Sequence, residues 1–217
     1  MHKKFRGISI LLIVMLNAAL VFGQEQTLEK SAFEAIVDKA FKNLSGKTHR
    51  SISIDEKYEN GSPTAAKSVK MTTEWIAPDK SRMIIDTAGQ RIEKIQIGEK
   101  RYKRINDGQW ELETRSGGGI AMGCGATIES ESYTVSENTN LNGTSVNLYE
   151  RIEKWSSVYC GSNDGKPEVW TKRFWISKEG LLLKTEHITE VPVKKSTSRT
   201  ITTYEYDSKI KIEAPIK

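Results

Sequence analysis

The polar side chains able to support enzymatic chemistry are few in this chain and poorly spaced for it. Beyond residue 23 the histidines are His49 and His187, and neither lies in an H-x-x-x-H or Cys/His metal-ligand spacing. Glu129 and Glu131 occupy an alternating segment and read as the wet face of a strand, not as a general acid and base. His187, next to Glu186, reads in the same way as a surface or cross-strand polar residue. The glycine-rich run Ser116–Gly119 is not a phosphate loop, because no Gly-Lys-Ser/Thr follows it. No catalytic residue, metal ligand or cofactor site is expected.

The residues that could form a site are apolar. Met71, Trp75, Met83, Ile85, Tyr102, Trp110, Leu112, Phe174 and Leu183 recur in segments of period two and are expected to share the concave face of a sheet. Two readings stay open for them. They pack against a helix as plain core, or some of them line a pocket for an acyl chain, for which flexible methionine side chains are well suited. Cys124 and Cys160 are expected to form a disulfide closing a loop of about 37 residues, a contribution of about 3–4 kcal/mol in the chain-entropy model.

The elements that must position these residues are one helix and a succession of strands. Leu28, Ala32, Phe33, Ile36, Ala40 and Leu44 follow a 3.6-residue period, widened by Val37 and Phe41, with charged residues on the outer face. Thr27 is the expected N-cap and Gly46 the expected stop. After Gly46 the pattern is strand throughout: Val69, Met71, Thr73 and Trp75 alternate against Lys70, Thr72 and Glu74. Turn signals such as Asn60-Gly61, Gly89, Gly98, Asn142-Gly143 and Gly180 recur at hairpin spacing, so a meander of about ten short strands is expected. A helix followed by such a meander implies an α+β fold: an open, incomplete antiparallel β-barrel or a strongly curved sheet wrapped around the N-terminal helix.

The N-terminus adds a location. Lys3, Lys4 and Arg6 precede an apolar run from Ile8 to Phe22 that ends at Gly23-Gln24, the pattern of a secretory signal peptide too short to span a bilayer. Residues 1–23 are thus expected to be a signal peptide and 24–217 a single domain, periplasmic or secreted, not membrane-spanning. Of the formal net charge of +5, three units sit on Lys3, Lys4 and Arg6, so net charge provides no argument for a nucleic-acid partner.

Short motifs along the chain resemble a known family. Thr73–Arg82 with its Trp-Ile-Ala-Pro, Ile95–Gly98, Tyr102, Asn106–Trp110, Gly143–Tyr149, Phe174–Leu183, Thr203–Tyr206 and Ile210–Pro215 are similar to the Lol-type carriers of outer-membrane lipoproteins and their relatives. The resemblance implies an unclosed barrel with a helix at its mouth and an interior that binds acyl chains. A periplasmic carrier or binding protein for a lipid or lipoprotein acyl chain is the function it points to, with no enzymatic activity. The alternative is an envelope sensor or assembly factor that uses the fold to bind an envelope protein. Two departures are visible: Ala77 stands where the carriers place an arginine before the proline, and Ser116–Gly119 and 123–125 stand where they place lid helices. A latched lid is therefore not implied.

Overall fold

The computed structural model describes residues 25–62, 64–113, 125–159 and 166–216. The expected signal peptide, the run Ser116–Gly119, and both Cys124 and Cys160 lie outside the described residues. A short strand β1 (Glu25–Thr27) leads into the helix α1 (Lys30–Ser45) and then β2 (His49–Tyr58). A first meander continues through β3 (Lys67–Ile76), β4 (Lys80–Thr87), β5 (Gln90–Ile97), β6 (Lys100–Ile105) and β7 (Glu111–Leu112). A second comprises β8 (Gly125–Leu141), β9 (Thr144–Tyr159), β10 (Lys166–Ser177), β11 (Leu182–Val191) and β12 (Ser196–Glu205).

All described strands belong to one antiparallel sheet in the order β1-β8-β9-β10-β11-β12-β2-β3-β4-β5-β6-β7. The two meanders meet where β12 returns beside β2, and the edges β1 and β7 stay apart, so the sheet is open. The expected α+β class holds, and every described strand except β1 follows the helix. The strands are not all short: β8 and β9 are 17 and 16 residues long and absorb their length through bulges near Ile128 and Ser136. Their hairpin closes at Asn142-Gly143, where φ angles of 51° and 87° are those of a type I′ turn.

The helix starts later than its apolar period suggests. Thr27 is not the N-cap; it pairs with Thr134 on β8, and the Leu28 N–H donates to the Tyr133 carbonyl at 2.9 Å. Sheet pairing satisfies backbone groups that a longer helix would have to satisfy internally, so Glu29 becomes the cap position. At the other end Gly46 does stop the helix, with φ −83°, without using the left-handed freedom of glycine.

Phe33, Val37, Ala40 and Leu44 of α1 are buried against Tyr133, Val135, Tyr149, Ile176 and Leu182, forming the main core. The Phe33 ring lies 5.1 Å from Tyr133 and 5.9 Å from Phe174. A second core sits on the opposite face of the sheet. There Ile210 and Ile212 of the C-terminal segment cover Ile95 and Tyr102, with Ile76, Ile97 and Trp110 packed around them.

Across that opposite face also runs an ionic ladder, in two halves that meet on β2. One half runs Glu150, Arg173, Glu186, Arg199, Glu56, with Arg173 2.9 Å and Arg199 2.6 Å from Glu186. The other runs Arg50, Glu74, Arg82, Glu93, Arg104, with Arg82 2.5 Å and Arg104 2.6 Å from Glu93. Glu93 and Glu186 are only 2% and 5% exposed. Burial pushes their carboxyls up, but hydrogen bonds and charge from two arginines each outweigh it and hold both below the ordinary value.

A carboxyl with a depressed folded-state pKa stabilises fully above its unfolded pKa, near 4.3, and loses that contribution as pH falls through the folded value. Stability should therefore fall on acidification below about pH 4. Urea midpoints from neutral to about pH 3 test this. Glu186→Gln should flatten the acid limb and cost about 2 kcal/mol at neutral pH, less than a fully buried pair because both guanidiniums reach water. An identical acid limb in that variant would show that Glu186 does not carry the effect.

Candidate functional site

Strand alternation sets out the helix-bearing face row by row. Phe174 stands opposite Thr185, which continues through Thr202 and Ser53 to Met71, Ile85, Ile92 and Ile105. The next row runs Thr73, Met83, Lys94, Lys103 and Glu111. The third runs His49, Trp75, Ser81, Gln96 and Arg101. The helix covers the β8–β12 side of this face. Past it, Met71, Met83, Ile85 and Ile92 remain half-buried, and Ile105 is 43% exposed.

The boundary between covered and uncovered face is a groove. A cavity of about 550 Å³ is lined by Phe41, Lys42, Leu44, Ser45, His49 and Trp75, within the usual range of ligand pockets. Trp75 donates its indole N–H to the Ser45 carbonyl at 3.3 Å, which ties the wall to the helix end. Phe41, 41% exposed, reaches toward this side while its ring edge meets Phe174 at 6.1 Å. Farther up the same helix, a second space of about 310 Å³ is lined by Phe33, Glu34, Val37, Asp38, Arg151, Lys172 and Phe174.

The floor between helix and wall is hydroxylic. Ser53 and Thr202 hydrogen-bond at 2.8 Å, both buried, and Thr200 donates to Asp55 at 2.6 Å. The buried Ser53–Thr202 pair satisfies its hydroxyls internally, so it does not oppose an apolar occupant, whereas Asp55 is exposed. His187 lies on this face with its ring centroid 6.0 Å from that of Trp170; burial, then the charge of Lys172, lowers its pKa. Burial pushes the Tyr206 hydroxyl up to about 12, and it donates to the Leu182 carbonyl at 2.9 Å. Among the described residues no group of three or more His, Cys, Asp or Glu could hold a metal ion, and no helix is long and apolar enough to cross a membrane.

The sequence-predicted residues divide into four groups. Met71, Trp75, Met83 and Ile85 come together on the wall. Phe174 shares their face but lies against Phe33 and Phe41 of the helix. Leu183 falls at a bulge where Trp175 pairs with Lys184 and Ile176 with Leu182; the fully buried residue there is Leu182. Tyr102, Trp110 and Leu112 belong to the other side of the sheet. Tyr102 is buried beneath Ile210 and Ile212, Trp110 packs beside it under the Arg104 guanidinium, and Leu112, opposite Tyr102 in register, is 58% exposed.

Phe41 and His49 line the groove, and Ile92 and Ile105 extend the wall, without having been anticipated there. Strand β5 carries isoleucine on both parities, at Ile92 and at Ile95 and Ile97, so alternation alone could not say which isoleucine faced the helix.

No family model matches the sequence, and no curated protein matches it. Among solved structures, the chain is similar to a DUF1329 family protein from Desulfovibrio piger, at 10% identity and TM-score 0.33, covering 83% of this chain and 94% of that one. It is similar to a LolA superfamily protein from Nitrosomonas europaea, at 16% identity and TM-score 0.30, covering 79% and 90%. A third similarity is to an outer membrane lipoprotein-sorting protein domain from Vibrio parahaemolyticus, at 12% identity and TM-score 0.28, covering 82% and 95%.

The two environments on one face predict different costs of truncation. Phe33→Ala empties a fully packed site and should cost about 3–5 kcal/mol. Met83→Ala removes a half-exposed side chain and should cost under about 1 kcal/mol, because the wall lacks packing atoms on one side. Denaturant midpoints of the two variants decide it; equal losses would make the wall ordinary core.

Proposed function

We propose that this protein is a periplasmic or secreted binding protein or carrier for a lipid or lipoprotein acyl chain, exported by cleavage near Gly23-Gln24. The carrying observation is the wall of Met71, Met83, Ile85, Ile92 and Trp75, which the helix leaves half-buried beside a groove of about 550 Å³. An apolar surface of this kind, contiguous across several strands, is costly in water unless something apolar is laid against it. Two methionines in the wall let it repack around chains of different length. The motifs that resemble Lol-type carriers point the same way.

Native mass spectrometry after gentle extraction from the periplasm tests the reading. The expected result is a stoichiometric adduct of lipid mass, and Met83→Glu, which places a carboxylate on the wall, should reduce its occupancy about tenfold or more. A co-purifying protein over an empty groove would instead support the assembly-factor alternative.

A further inference from the structure

The two faces of β5 and β6 treat their charges differently. On the opposite face Arg82 and Arg104 both reach Glu93, so each cation has an anion on a neighbouring strand. On the helix face Lys94 lies directly opposite Lys103, and Arg101 opposite Gln96 in the adjoining row. Like charges directly opposed across a strand pair destabilise it. Lys94 is relieved by Glu113 at 3.2 Å. Among the described residues, half-buried Lys103 and exposed Arg101 have no ion pair, although Glu111 stands opposite Lys103 in register.

These cations adjoin the apolar wall. Lys94 is the direct cross-strand neighbour of Met83, and Arg101 lies two strands from Trp75's partner Ser81, in the same row. Such neighbours have Cβ atoms about 5 Å apart, so the change from apolar to cationic takes place within a single strand spacing. Room for a polar group exists at that boundary. A cavity of about 340 Å³ is lined by Gln96, Gly98, Glu99, Arg101 and Glu113. Of its two carboxylates, Glu113 is already neutralised by Lys94, and exposed Glu99 can turn to water.

We propose that this edge is a head-group subsite for an anionic amphiphile, a carboxylate or a phosphate ester, with Arg101 and Lys103 contacting the anion and its tail lying on the Met83–Ile85–Ile92 wall. The proposal rests on the acyl-chain reading above and adds the charge of the ligand. A guanidinium presents a planar fork that matches either anion, and the neighbouring apolar surface strengthens the attraction by excluding water.

Calorimetric titration of the chain from Gln24 onward tests both layers, using laurate, dodecyl phosphate and dodecyl maltoside below their critical micelle concentrations. The anions should bind about tenfold more tightly than the neutral maltoside, and salt should erode the difference. Arg101→Glu with Lys103→Glu should abolish that preference while leaving maltoside affinity unchanged, which also shows that the variant is folded. Lys211→Glu, in an exposed part of the C-terminal segment, should leave the preference intact. Tighter binding of dodecyl phosphate than laurate would identify a phosphate ester, the reverse a fatty acid, and either supports the subsite. Equal affinity for anions and maltoside would overturn the subsite and leave the acyl wall standing. Binding of none of them would overturn both.

Discussion

The fold depends on a helix tethered at both ends to strands that lie far apart in the sheet. β1 is hydrogen-bonded to β8 and β2 to β12, with β9, β10 and β11 between those two partners. At about 4.8 Å per strand, the chain must travel about 29 Å from β1 to β2. The 16 residues of α1 supply about 24 Å of that. The helix is thereby drawn across the second meander, and its apolar stripe has one place to be buried. The same tether decides where coverage ends, because the helix gives out beside His49 and Trp75. The groove and the half-buried wall beyond it follow from this length.

The opposite face solves a different problem. A sheet of this breadth with one helix cannot cover both surfaces with apolar groups, and the chain is 28% charged. The ladder from Glu150 to Arg104 crosses successive strands, with two members on β2, and Glu186, Glu74 and Glu93 each have a guanidinium on both sides. Arginine suits this role: its stem covers the sheet while its fork reaches two neighbours. Where the ladder ends at β6, the C-terminal segment takes over, burying Ile95 and Tyr102 beneath Ile210 and Ile212.

Together these features make the two faces of the first meander unequal. One is closed by ion pairs and the C-terminal segment. The other holds methionine, isoleucine and tryptophan next to two cations without ion pairs among the described residues. It is this contrast that the proposed subsite for an apolar tail joined to an anionic group draws on.

The sequence by itself determined the helix, the antiparallel meander and the turn positions. Each of these rests on local chemistry: a 3.6-residue period from Phe33 to Leu44, alternation at Val69–Trp75, and positive φ angles at Asn60-Gly61 and Asn142-Gly143. It also brought Met71, Trp75, Met83 and Ile85 onto one face, since two strands joined by a tight hairpin keep their parity. What only the tertiary structure decided is which face each later strand presents. Tyr102, Trp110 and Leu112 alternate as convincingly as Met83 does, yet one residue of phase puts them on the other side of the sheet, Tyr102 and Trp110 in the core with Ile210 and Ile212 and Leu112 exposed. The burial of Glu93 and Glu186 is likewise a matter of register, because each carboxylate depends on one arginine from each of its two neighbouring strands. Periodicity is a property of one strand, whereas a face, a buried charge and an open wall are properties of how strands are stacked side by side.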